Sequence, residues 1–205
     1  MILTKKVWRT SARYLCLSIL FFGSLGIVYA THDRTRPVQL FFDGSKIEGA
    51  WSIVSTNDDG ATMNLHTEQL LANHIVTVWW IIFNHPEKCS HGEAPFRCGQ
   101  PDLSVAAVDA SVVYASGDKV KWDGTYNADA VIKKNDVAGA LFGHGLTNPT
   151  GADIHLVVRD HGKMLQKLTH EQSSTFGGGC SNTPPGTGVP GPNTCVDLQF
   201  SVHEQ

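Results

Sequence analysis

The chain has 205 residues, with 16 Lys+Arg against 19 Asp+Glu, ten His and five Cys. A formal charge of −3 with His neutral excludes the strongly basic surface that a nucleic-acid or anionic-membrane partner needs. The balance is also uneven along the chain, and that unevenness is the first functional signal.

The first 13 residues carry Lys5, Lys6, Arg9 and Arg13 and no acid. An apolar stretch follows from Tyr14 to Val28 and ends in Val28-Tyr29-Ala30, a small-x-small site. Basic start, apolar middle and small-residue end together predict a cleavable signal peptide over residues 1–30, with Thr31 as the mature N-terminus. The apolar run includes Ser18, Gly23, Ser24 and Gly26 and falls short of the roughly 20 apolar residues of a spanning helix. No permanent membrane anchor is therefore expected, and Cys16 has no lipoprotein-type context. Cleavage would leave residues 31–205 as a single domain with 12 Lys+Arg against 19 Asp+Glu, a charge of −7, and all ten His. The expected location is the periplasm, the cell surface or the extracellular space.

Cys89, Cys98, Cys180 and Cys195 remain in that domain. An even count in an exported chain reads as two disulfides. Local pairs, Cys89–Cys98 and Cys180–Cys195, are favoured because each brackets a loop-like segment. Loops of this length give roughly 3 kcal/mol each on the chain-entropy estimate. A cysteine zinc site is the competing reading, against which no C-x-x-C is present.

In chain order, Val38–Phe42 is a short apolar run ended by Asp43-Gly44. Ala50–Thr56 alternates, and Asn57-Asp58-Asp59-Gly60 marks a tight hairpin. Ala61–His66 answers it, with Ala61, Met63 and Leu65 inward. Ile75–Phe83 is apolar on both faces apart from Thr77, which predicts a central strand covered on both sides. At least one of Trp79 and Trp80 should lie in the core. Residues 85–104 form a long loop holding the first cysteine pair. Val105–Ala115 and Lys119–Ile132 read as strands, the second bent at Asp123-Gly124, and Gly143–Gly151 as a loop. Ala152–Arg159 puts Ile154, Leu156 and Val158 on one face and Asp153, His155, Val157 and Arg159 on the other. Lys163–Gln172 reads as a short helix and Ser181–Thr194 as a Pro/Gly-rich surface loop. Val196–Val202 alternates, with Val196, Leu198, Phe200 and Val202 expected inward and Asp197, Gln199, Ser201 and His203 outward. Seven or eight short strands without a long amphipathic helix predict an all-β fold, an antiparallel β-sandwich or open barrel with disulfide-closed loops.

Gly186-Thr187-Gly188-Val189-Pro190-Gly191 matches G-x-G-x-x-G by letter, but it lies between two cysteines and opens no helix, so it is not a dinucleotide fingerprint. His170-Glu171 lacks the second His of a metalloprotease helix at position 174, which is Ser. Cys89-Ser90-His91 lacks the downstream Met of a blue-copper loop. The remaining constellation is His144, His155 and His161, with Asp153, Arg159 and Asp160 beside them. Neutral imidazoles near carboxylates suit zinc or copper. His155, Arg159 and His161 are the candidate ligand-binding residues, His144, His155 and His161 the candidate metal ligands, with exposure to solvent as the simplest role for that face.

Thr77-Val78-Trp79-Trp80-Ile81-Ile82-Phe83-Asn84, the run from Leu146-Thr147-Asn148-Pro149 through Ile154-His155-Leu156-Val157-Val158-Arg159 to His161-Gly162, and Cys195-Val196-Asp197-Leu198-Gln199-Phe200 resemble a family of exported bacterial proteins of unknown function. That resemblance implies export and one domain, and no activity. A second likeness, through Asn148-Pro149-x-Gly151 leading into a His-bearing strand, is to chordin-type β-sandwich domains. Those carry a His-x-His element in an earlier strand, which this chain lacks. The function expected is non-catalytic binding of a partner protein or small ligand through loops on a rigid frame. The alternative is zinc or copper binding by the histidine group.

Overall fold

The computed structural model describes residues 34–205. The expected signal peptide and its cleavage site lie outside the described residues.

Ile75–Phe83 forms most of β4 (His74–Phe83), the apolar spine of the fold. The other strands are β1 (Arg34–Leu40), β2 (Lys46–Asn57), β3 (Gly60–Thr67), β5 (Ala110–Lys119), β6 (Tyr126–Lys133), β7 (Ala140–Phe142), β8 (Asp153–Lys163) and β9 (Val196–His203). All nine among the described residues join one antiparallel sheet in the order β6-β3-β2-β1-β9-β8-β4-β5-β7. The sheet curls into an open barrel rather than two stacked sheets. Its ends approach where Ser116 on β5 meets Tyr126 on β6, hydroxyl to hydroxyl at 3.2 Å.

The concave side holds the main core. β4 contributes Val76, Val78, Trp80 and Ile82, and β8 contributes Ile154, Leu156 and Val158. Ala61, Met63 and Leu65 of β3 point there too, as their alternation predicts. The β2–β3 hairpin forms at Asn57–Gly60 as expected. Both tryptophans of β4 are buried, on opposite faces.

β4 is apolar on its convex face because that face is covered as well. Phe83 packs with Cys98, Val108 and Ala110 in a second, smaller cluster joined by Ile81 and Leu103. The segment 85–104 therefore lies over the sheet, held by its own bonds. Cys89–Cys98 closes it, with Cα atoms 5.2 Å apart. The fully buried Asp102 carboxylate accepts backbone N–H groups of Ser90, Gly99 and His91. Burial alone would raise the Asp102 pKa, but these donors outweigh it and lower it to about 2. Asn84, at the end of β4, donates to Asp109 O and Gly145 O and accepts from Thr147 and Asn148 N–H, fixing the 145–148 loop.

The structure corrects four local expectations. Lys119–Ile132 is not one bent strand: β5 ends at Lys119, and a turn over 120–125 leads into β6. The strand expected from Val105 starts at Ala110, after a short 3-10 turn over Ala106–Val108. The helix expected over Lys163–Gln172 is α1 (Thr169–Ser174), because β8 runs on to Lys163. Finally, β9 faces the other way from Gln199 onward, while Leu198, at a register shift, packs against the main core as expected. Its register pairs Val158 with Gln199, Leu156 with Ser201 and Ile154 with His203, and directly paired residues share a face. Gln199, Ser201 and His203 therefore point into the barrel. There Gln199 accepts from Thr67 Oγ1 (2.5 Å) and donates to Glu68 O (2.7 Å). Ser52 Oγ bonds to Ser201 Oγ and His203 Nε2, each at 2.8 Å. Alternation separates two faces, but cannot say which is inside when polar partners wait on the interior.

Candidate functional site

Inverting β9 sends Phe200 and Val202 to the convex face, beside Val157 and His155 of β8 and Trp79 and Ile81 of β4. These side chains floor a groove of about 620 Å³, a size usual for small-molecule sites. Phe96 and Leu103 of the disulfide-closed segment line one side, and Phe142 of β7 and Phe176 line others. Phe176 follows α1, which is seated on β5 by the Tyr114 hydroxyl donating to Ser173 O at 2.8 Å. Gly117 permits that approach, since a Cβ there would collide with Ser173 O. The aromatic rings support one another edge to face. Phe41 and Phe96 each stand 5.7 Å from Phe200, and Phe176 stands 5.5 Å from Trp79.

His155 is 9 % exposed, lies against Phe83 with ring centroids 5.0 Å apart, and leaves Nε2 without a hydrogen-bond partner. Burial lowers its pKa to about 4, so the ring is neutral at pH 7. An orphaned buried polar atom is costly, and here it belongs to a residue of the groove floor. This also corrects the solvent reading of that face: His155, Arg159 and His161 are all buried.

Arg159 has no free charge to offer. Its guanidinium bonds Asp197 at 2.6 Å, donates from Nε to Phe176 O, and stacks over the Phe176 ring at 4.0 Å. It is a brace for the groove wall.

His161 lies six residues beyond His155 on the same face of β8, about 20 Å along a strand. Trp79 Nε1–H donates to Thr77 Oγ1 (2.8 Å), so the Thr77 hydroxyl proton goes to His161 Nε2 (2.9 Å). His161 Nδ1–H then donates to Gly178 O (2.9 Å). Burial is the main reason its pKa is lowered. Cys180 Sγ and Cys195 Sγ lie 3.5 and 3.9 Å from Nδ1. The ligand atoms of His161, Cys180 and Cys195 are thus within 4.8 Å of one another, a buried group with metal-ligand chemistry. The two sulfurs are joined as a disulfide, Cα atoms 5.5 Å apart. They offer thiolates only after reduction.

The three histidines expected to act together do not converge. His144 is 82 % exposed in its side chain and pairs with Asp109 at 2.9 Å, and neither it nor His161 lines the groove. The local disulfides, in contrast, are both present. The G-x-G-x-x-G letters fall in a loop whose backbone pairs with residues 177–179, with no helix after it.

Comparison with known families, with characterised proteins and with solved structures finds no match for this chain. The functional reading therefore rests on the geometry alone. Among the described residues, no helix is long and apolar enough to cross a membrane.

The groove itself escaped sequence reasoning. Its one legible trace is β4, whose outer row Trp79-x-Ile81-x-Phe83 has no reason to be apolar unless something lies on it.

Proposed function

We propose that this protein is an exported, disulfide-stabilised binding module that holds a small, largely apolar ligand in the convex groove, without a chemical step. The observation that carries the reading is His155: a buried imidazole with an unpartnered nitrogen on the floor of an aromatic groove. Export is supported by the character of residues 1–30 and by two disulfides suited to an oxidising compartment.

Val157 is half-buried on the groove floor. Val157→Phe should fill the space from a rigid strand and weaken binding of a neutral solvatochromic dye at least ten-fold, with the melting temperature little changed. Fluorescence titration of both proteins decides it. A wild-type protein that leaves the dye unbound, or equal affinity in the two, would sink the reading.

The convergence of His161, Cys180 and Cys195 favours a second reading, zinc or copper binding at that cluster. It needs a reductant. A phosphine breaks the S–S bond and, with water, becomes the phosphine oxide, leaving two thiols that release their protons to solvent as their sulfurs bind the metal. His161 Nδ1 would also have to release Gly178 O. Native mass spectrometry should then show one zinc on the reduced protein and none on the oxidised one. Reduced protein that takes up no zinc ends this reading. The groove ranks first because it needs no such prior step.

A further inference from the structure

The groove has a charge pattern as well as a shape. No lysine or arginine lines it among the described residues, while Glu93 and Asp197 do. His91, which does line it, is bonded to Asp102, and two arginines beside it are engaged, Arg159 by Asp197 and Arg97 by Asp153. A ligand carboxylate, such as that of a fatty acid, would enter without a counter-charge and close to two acids, in a domain whose residues 31–205 carry −7. Burying an unpaired charge is strongly unfavourable. Asp197 is likewise spent on Arg159, and Glu93 is exposed at the rim, where a cation would be screened by solvent. The interior therefore favours an uncharged molecule.

Its polar requirement comes from His155 alone on the floor. The neutral imidazole has one N–H donor and one bare nitrogen acceptor. A hydroxyl can donate or accept, so it satisfies whichever nitrogen it meets. Phe96, Phe142 and Phe176 stand in the walls, and Trp79 and Phe200 of the floor are held edge-on by their neighbours and so fixed in orientation. Such walls favour a ligand that is itself cyclic and flat.

We propose that the groove takes an uncharged ring compound bearing a hydroxyl group that hydrogen-bonds to His155. The proposal rests on the binding reading above and names its ligand class.

Calorimetry with 2-naphthol, naphthalene, 2-naphthoate and 2-naphthylmethylammonium tests it, because the four share one ring system and differ in the polar group. Wild-type protein should bind 2-naphthol about five-fold more tightly than naphthalene, the usual worth of one hydrogen bond, and both charged compounds more weakly than naphthalene. His155→Leu should lose the preference for 2-naphthol over naphthalene, whatever its absolute affinity for the two. The ranking in wild type decides the matter even if that variant does not fold. Equal binding of naphthalene and 2-naphthol overturns the hydroxyl proposal and leaves the binding reading standing. A preference for the carboxylate or the ammonium also overturns it. If none of the four binds, the hydroxyl proposal falls with them, while the dye titration still decides the broader reading separately.

Discussion

Arg97→Met is expected to cost about 2 kcal/mol of folding stability, less than the roughly 3–5 kcal/mol for removing one partner of a fully buried ion pair because the Arg97 side chain is itself 40 % exposed, and to abolish ligand binding in the groove. Asp153 opens β8 and is completely buried. Its two carboxylate oxygens take Nε and Nη2 of Arg97, each at 2.9 Å, and Oδ1 also accepts Gln205 N–H. Burial dominates its pKa and raises it, against the pull of Gln205 and Arg97. Losing the guanidinium leaves a carboxylate that must either stay charged without a partner or take a proton. Arg97 also sits in the segment that walls the groove, one residue from Phe96 and one from Cys98, and its guanidinium reaches Gln205 O. The same substitution therefore frees the wall from the sheet. Urea unfolding of the single variant and of Arg97→Met with Asp153→Asn checks the cause. The double variant should recover part of the loss, since the second change removes the stranded charge. A single-variant loss under 1 kcal/mol would show that the pair does not hold the wall.

Lowering the pH from 7 to 5 should remove about 2 kcal/mol through His155 alone, from linkage with a folded pKa of about 4 against the ordinary 6.5. The sign follows from which state holds the proton. Between those values the unfolded chain is protonated at this position and the folded chain is not, so unfolding takes up a proton and acid favours it. Stability is full above 6.5 and declines as the pH falls toward 4. His161, whose pKa is also lowered by burial, acts in the same direction. Asp102 does not contribute in this window, because its folded pKa of about 2 keeps it charged. Its support is lost only below the ordinary carboxylate range. Urea midpoints of wild type and His155→Leu at pH 7 and pH 5 check the expectation. The variant should show a clearly shallower fall. Parallel falls in the two proteins would mean that His155 is not the buried neutral group described here.

The sequence by itself determined the elements whose patterns have one reading. Asn57–Gly60 between two alternating runs could only be a hairpin. The doubly apolar run of β4 demanded a central strand with cover on both faces. Cysteines bracketing short loops paired locally, because local closure is the easier geometry to meet. Ile154, Leu156 and Val158 marked the core face of β8 correctly. In each case the information lies within a few residues of chain.

What the tertiary structure decided is whatever depends on a partner far away in sequence. The alternation in β9 was plain, yet its polar row is the buried one, since Ser52 and Thr67 supply hydrogen bonds from nearly 150 and more than 130 residues away. The polar face of β8 looked like a solvent face or a histidine site. It is covered by 85–104 and by Phe176, and it separates His155 and His161 into different surroundings: one an unpartnered imidazole in a groove, the other a satisfied one beside a disulfide. The groove is built from β4, β7, β8, β9 and the disulfide-closed segment, its lining spread from Phe41 to Val202 along the chain. A concave surface of that kind has no local signature. It exists only when the strands have found their register and the loop has been clamped over them by Arg97, Asp102 and the Cys89–Cys98 bond.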